Sequence, residues 1–164
     1  MLYIGIDPGL AGGICAIDET GELKFITTMP TLSIGTKKEI DVPAFVLTLR
    51  SLQTKDKIRI VGIETQHAMP KQGVSSMFKI GKGYGIIIGA LAALELPYTE
   101  IRANDWQKIM FVGHPKSNTK DISKKIAKQL YPKCEFKASL RCTTMHDGMT
   151  DACMIANFAK LKHQ

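Results

Sequence analysis

Two apolar runs in this chain each stop at a single acid. Residues 2–6 (LYIGI) end on Asp7, and residues 58–63 (IRIVGI) end on Glu64. Short, mostly aliphatic runs bounded by turn residues are strands buried on both faces. An acid at the end of such a run sits where the strand leaves the core. If the two strands are neighbours, both carboxylates emerge at one edge of a sheet. After Asp7-Pro8-Gly9, residues 13–17 form a second strand, and the Asp18-Glu19-Thr20-Gly21 turn leads to a third at 23–28.

The rest of the chain alternates helices with strands. Residues 29–40 read as loop. Asp41 caps a helix with Pro43 in its first turn and Phe45, Leu49 and Leu52 on one face. A polar loop over 65–73 leads to a long helix over about 74–94, where Gly81, Gly85, Gly89 and Ala93 recur every four residues. Glycine inside a helix costs about 1 kcal/mol relative to alanine, so the row predicts close approach of another backbone, from the chain's own sheet or a second copy. A strand follows at 98–101. Asn104 is expected to cap a short helix, with Trp106 in the core beneath a basic helix over 119–130. That helix turns Ile122, Ile126 and Leu130 inward, and a last helix runs over about 147–161. The expectation is one α/β domain, 1–164, with a mixed five-stranded sheet flanked by helices.

Composition excludes several classes. A chain of 164 residues with 45% hydrophobic side chains has a core, not a disordered profile. The most apolar stretch, 86–94, is too short to span a bilayer, so no membrane role is expected. The start lacks a secretory signal pattern, which predicts an intracellular protein. Cys15, Cys134, Cys142 and Cys153 form no CxxC pair and read as reduced thiols. The GKGYG run neither fits a dinucleotide fingerprint nor follows a strand. Charge is concentrated: residues 102–141 hold ten basic and three acidic side chains, a surplus equal to the net +7 of the whole protein. Such a block is either a solvated face or a footprint for phosphates.

Two further acids, Asp147 and Asp151, are four apart on the last helix and share a face. Like charges at that spacing repel unless something positive lies between them. Magnesium is the natural candidate, a hard cation that takes oxygen ligands and bridges phosphates. A pair of such ions supports in-line phosphoryl displacement.

The ordered set of motifs resembles the RuvC-type Holliday junction resolvases. Ile4-Gly5-Ile6-Asp7-Pro8-Gly9 with Gly12-Gly13 is similar to their opening, and Ile63-Glu64 to their second motif. Residues 76–89 resemble their central helix, and Leu96-Pro97 and the following strand also match. Lys108, then Val112-Gly113, then Lys120 resembles their basic element, and His146-Asp147-Gly148-Met149-Thr150-Asp151-Ala152 their last helix. Bacterial members commonly set the last two acids three apart. The spacing of four here, with Gly148 between, looks more like the phage and chloroplast branches.

The resemblance implies a ribonuclease H-like fold, a homodimer, and symmetric nicking of a four-way DNA junction to leave 5′-phosphate and 3′-hydroxyl ends. It implies two Mg²⁺ ions per site, with Mn²⁺ able to substitute, held by Asp7, Glu64, Asp147 and Asp151. Lys108 and Lys120 become candidates for holding the scissile phosphate. Candidate DNA contacts are Lys71, Lys79, Lys82, Lys108, Lys116, Lys120, Lys124 and His67, the last either stacking on a base or facing solvent. Gly81, Gly85 and Gly89 are candidate dimer contacts. The implied compartment is a bacterial cytoplasm, phage or bacterial in origin, with an organelle also open. The rivals are a flap or Y-DNA nuclease of the same fold and a catalytically silent junction binder. An actin-like kinase, whose first phosphate loop resembles Asp7-Pro8-Gly9, needs two such domains.

Overall fold

The computed structural model describes residues 1–68, 71–114 and 118–164. Its strands are β1 (Leu2–Asp7), β2 (Gly13–Asp18), β3 (Leu23–Thr28), β4 (Thr31–Ile34), β5 (Lys37–Ile40), β6 (Ile58–Glu64) and β7 (Tyr98–Ile101). Its helices are α1 (Val42–Lys55), α2 (Val74–Ala93), α3 (Ala103–Met110), α4 (Thr119–Leu130) and α5 (Asp147–His163). Five strands form one mixed sheet in the order β3-β2-β1-β6-β7. β1 pairs antiparallel with β2 and parallel with β6. The two acid-ended strands are therefore neighbours, which is the condition for both carboxylates to emerge at one edge of the sheet.

The sheet is buried on both sides, and the alternation of its strands sorts two cores. Leu2, Ile4 and Ile6 of β1, Ile14 and Ala16 of β2, and Val61 and Ile63 of β6 pack against α1 and α2. Tyr3, Cys15, Ile17 and Ile60 point the other way, toward α3, α4 and α5. α1 is capped as expected, with the Asp41 carboxylate accepting from the Ala44 amide at 3.0 Å and Phe45, Leu49 and Leu52 buried.

α5 lies unusually close to the sheet. A methyl group on Gly5 would collide with the Ala152 carbonyl oxygen and the Ala156 amide nitrogen. One on Gly13 would lie 2.6 Å from the Gly148 carbonyl oxygen, and one on Gly62 would lie 3.0 Å from the Ala159 methyl. Gly148, Ala152, Ala156 and Ala159 are the matching small residues on the helix, all of them buried. Cys15 and Cys153, both free and buried, meet across the same seam with sulfurs 3.0 Å apart.

Four expectations change. Residues 29–40 are not loop but carry the β4–β5 hairpin, closed at Gly35, whose φ is +61°. Its strands mix Thr, Ser and Lys with only three apolar residues, so they show no clean alternation to read. The residue before α3 is Arg102, not Asn104, and it makes no side-chain cap. Leu130 is 46% exposed, and α4 buries Ile122, Ser123, Ile126 and Ala127 instead. The glycine row on α2 does not meet the chain's own sheet, since nothing lies within 4 Å of a methyl placed on Gly81, Gly85 or Gly89. Among the described residues no helix is long and apolar enough to cross a membrane.

Candidate active site

The parallel register that pairs Ile6 with Ile63 sets Asp7 beside Glu64 at the carboxyl edge of the sheet. α5 brings the other two acids to the same edge. Its first turn presses on the loop after Asp7, where a methyl on Gly148 would collide with the Ala11 carbonyl oxygen. Asp151, one turn further in, faces the strand ends.

Three of these carboxylates are crowded and largely out of water. Burial pushes Asp7 up to about 6; the Gly9 amide, donating at 3.2 Å, works against this, and the charge of Glu64 adds to it. Burial likewise pushes Asp151 up to about 6, with the nearby Ser123 hydroxyl opposing and the charges of Asp7 and Asp147 reinforcing. Glu64 is raised by burial and by Asp151, and held back by a hydrogen bond from the Trp106 indole. Each cause is the one expected when like charges share a low-dielectric site.

Asp147 behaves differently. Lys124 bonds one of its oxygens at 2.6 Å and Lys120 the other at 3.0 Å, and the two hold its carboxyl below the usual range. α4 supplies both lysines from one face, at i and i+4. His146 precedes the helix. Burial lowers its pKa, and its Nδ1 is buried with no hydrogen-bond partner among the described residues.

The donor set is all carboxylate oxygen, which suits a hard divalent cation such as Mg²⁺ or Mn²⁺. Burial is the main cause of the upward shifts of Asp7, Glu64 and Asp151, and neighbouring negative charge adds to it; a bound cation would offset both. Among the described residues no group of three or more histidine, cysteine, aspartate or glutamate side chains is set to hold a metal ion as the side chains stand. Asp147 is engaged by its lysines instead.

Several candidates sit apart from this cluster. Lys108 is exposed on α3 and pairs with none of the four acids among the described residues. The α3 residue that does reach the site is Trp106, whose Nε1 donates to Glu64 at 2.7 Å. Sequence reasoning placed Trp106 in the core but missed this bond. The only available signal was a buried tryptophan, whose N–H needs an acceptor. His67 is exposed and meets the Thr65 hydroxyl at 3.3 Å. Lys71 and Lys79 are exposed, and Lys82 pairs with Glu39 of β5 at 2.7 Å. Lys116 lies outside the described residues.

No protein-family model and no curated protein matches the sequence. Solved structures do match. The chain is similar to T. thermophilus RuvC in complex with a Holliday junction substrate, at 14% identity over 95% of this chain and 90% of that chain, with a TM-score of 0.61. It is also similar to a Thermus thermophilus RuvC structure, at 16% identity over 99% and 98% of the two chains, with a TM-score of 0.58. The five-stranded mixed sheet with helices on both faces is therefore the ribonuclease H-like fold seen in RuvC.

Proposed function

We propose that this chain is a divalent-metal-dependent endonuclease that resolves four-way DNA junctions, acting as a homodimer of single nuclease domains. The observation that carries the reading is that the β1–β6 register and the packing of α5 bring Asp7, Glu64 and Asp151, from three distant parts of the chain, to one edge of the sheet, where all three are largely out of water. Carboxylates withdrawn from water with no ion pair among the described residues are unusual for a structural role. The RuvC fold, seen with a Holliday junction substrate in T. thermophilus, supports the junction as the substrate.

Asp7, Glu64 and Asp151 would hold the ions, with Asp147 joining from the first turn of α5. Bound there, two Mg²⁺ or Mn²⁺ ions would supply the Lewis-acid chemistry of in-line phosphodiester hydrolysis, leaving 5′-phosphate and 3′-hydroxyl ends. Lys120 and Lys124 place two ammonium groups beside Asp147, where charge on a scissile phosphate is neutralised. Lys71, Lys79, Lys82 and Lys108 would extend the basic surface along the DNA, and His67 would stack at the crossover. The exposed Gly81, Gly85 and Gly89 support a second copy at α2, because nothing among the described residues covers them.

The test compares four-way junction, flap and linear duplex substrates with Mg²⁺, using wild type and Asp7→Asn. The expected result is paired nicking of the junction, lost in the variant with folding intact. Equal cutting of all three substrates, or binding without metal-dependent nicking, would overturn the resolvase reading.

A further inference from the structure

The net charge of residues 1–101 is zero, yet the fold does not leave it so locally. The β4–β5 hairpin and α2 enclose a small groove whose lining is largely apolar, with Leu10, Ile40 and Ile86, and to which Lys37, Lys38, Glu39, Lys79 and Lys82 also contribute. Two of these lysines come from the hairpin and two from the helix, some forty residues apart. Glu39 is the one acid among them. It bonds Lys82 at 2.7 Å and feels the charges of Lys37 and Lys79 as well. Four cations around a single carboxylate leave a surplus of three, and like charges held together in this way attract a polyanion.

The position of the groove gives the polyanion a direction. Leu10, at its wall, belongs to the loop that follows Asp7. The groove thus opens from the rim of the carboxylate cluster. On another side of that rim stand Lys120 and Lys124 of α4. A backbone crossing the carboxylates between these two basic walls meets positive charge before and after the reacting position.

We propose that the β4–β5 hairpin and α2 form a second phosphate-binding wall, in which Lys37 and Lys38 hold the sugar-phosphate backbone of a DNA arm flanking the cleavage point. This rests on the nuclease reading above. The Lys82–Glu39 ion pair joins the hairpin to α2 but is half exposed and holds back one of the four positive charges. Phosphate contacts of this kind set orientation and register without reading sequence.

The experiment is junction binding by fluorescence anisotropy, with EDTA present to prevent cutting, over a series of salt concentrations. Each phosphate contact contributes about 0.9 to the slope of log K against log salt. Lys37→Gln/Lys38→Gln is expected to reduce that slope by about 1.8 and to weaken binding. Lys55→Gln/Lys57→Gln, which removes the same charge near the far end of the sheet, is expected to leave the slope in place. Glu39→Gln removes the only acid in the groove and is expected to tighten binding, a gain that misfolding does not produce. Junction cutting by wild type, with an unchanged slope in the Lys37/Lys38 variant and no gain of affinity in the Glu39 variant, would overturn this inference and leave the nuclease reading standing. Absence of DNA binding by the wild type would overturn both.

Discussion

The indole nitrogen of Trp106 donates to the Glu64 carboxylate across 2.7 Å, from a ring only 1% exposed. Phe111 closes against that ring edge-on, with centroids 5.3 Å apart. Glu64 ends a strand and has few rotamers compatible with burial, so the bond fixes which way its oxygens face. Trp106→Phe keeps the aromatic packing and deletes the donor. The expected cost is about 1–3 kcal/mol in urea unfolding, the range for a buried hydrogen bond to a charged group. Because the bond holds the Glu64 pKa down, its loss moves the acid limb of the nicking-rate profile to higher pH. A stability loss with an unmoved profile would make Trp106 a packing residue alone.

The seam between α5 and the sheet predicts opposite outcomes for glycines that look alike in sequence. Gly5→Ala places a methyl against the backbone of Ala152 and Ala156. It is expected to cost at least about 3 kcal/mol and to abolish nicking, since relief requires moving the helix that carries Asp151. Gly85→Ala or Gly89→Ala meets nothing within 4 Å. Each is expected to stabilise the monomer by about 0.5–1 kcal/mol, and to weaken self-association if α2 packs on a second copy. Thermal unfolding and sedimentation measure the two effects.

That contrast shows what sequence could and could not reveal. The acid-ended strands, the cap of α1 and the span of α4 were legible, because apolar runs, a capping aspartate and helical periodicity are local signals. The partners of those residues were not. Trp106 and Glu64 are 42 positions apart, and nothing local in either tells that they touch. The row of glycines on α2 is periodic and therefore visible, but the close backbone packing on α5 uses Gly5 and Gly13, single positions in two different strands. Interior strand glycines carry that meaning only when the facing helix is known. The hairpin was missed because its strands face solvent on much of their surface and lack alternation.

Metal-free stability is expected to depend on pH through Asp7 and Asp151. Both have a folded pKa of about 6 against an ordinary value of 3.8. A carboxyl raised in this way favours folding when protonated. Its contribution is full below about pH 3.8 and is lost as pH rises through about 6. A shift of about two units corresponds to roughly 3 kcal/mol for each group. Asp7→Asn keeps an acceptor oxygen for the Gly9 amide and removes the charge. In EDTA it is expected to be more stable than wild type at pH 7, by about 1–3 kcal/mol, with the gap closing toward pH 4. Denaturant titrations at the two pH values check the sign.

Lysines near the site are expected to separate by role. Lys124→Met removes the shorter of the two ion pairs to Asp147, so the carboxyl loses its main restraint and its pKa rises. Single-turnover nicking is expected to fall about tenfold to a hundredfold, a larger loss than the fall in junction affinity from one phosphate contact. Lys108→Met, exposed on α3 and unpaired with any of the four acids among the described residues, is expected to lower the salt dependence of binding while sparing the single-turnover rate. Reversal of the two patterns would exchange their roles.

The backbone-to-backbone seam under α5 sets how the site can yield. Gly5 against Ala152, and Gly12 and Gly13 against Gly148, rest main chain on main chain at both the second and the first turn of the helix. No side chain at these points can change rotamer to let α5 shift, so the backbone positions of Asp147 and Asp151 are set together. Adjustment to different phosphate positions along a strand then falls to the side chain of Asp147 and to Lys120 and Lys124, which reach it from α4.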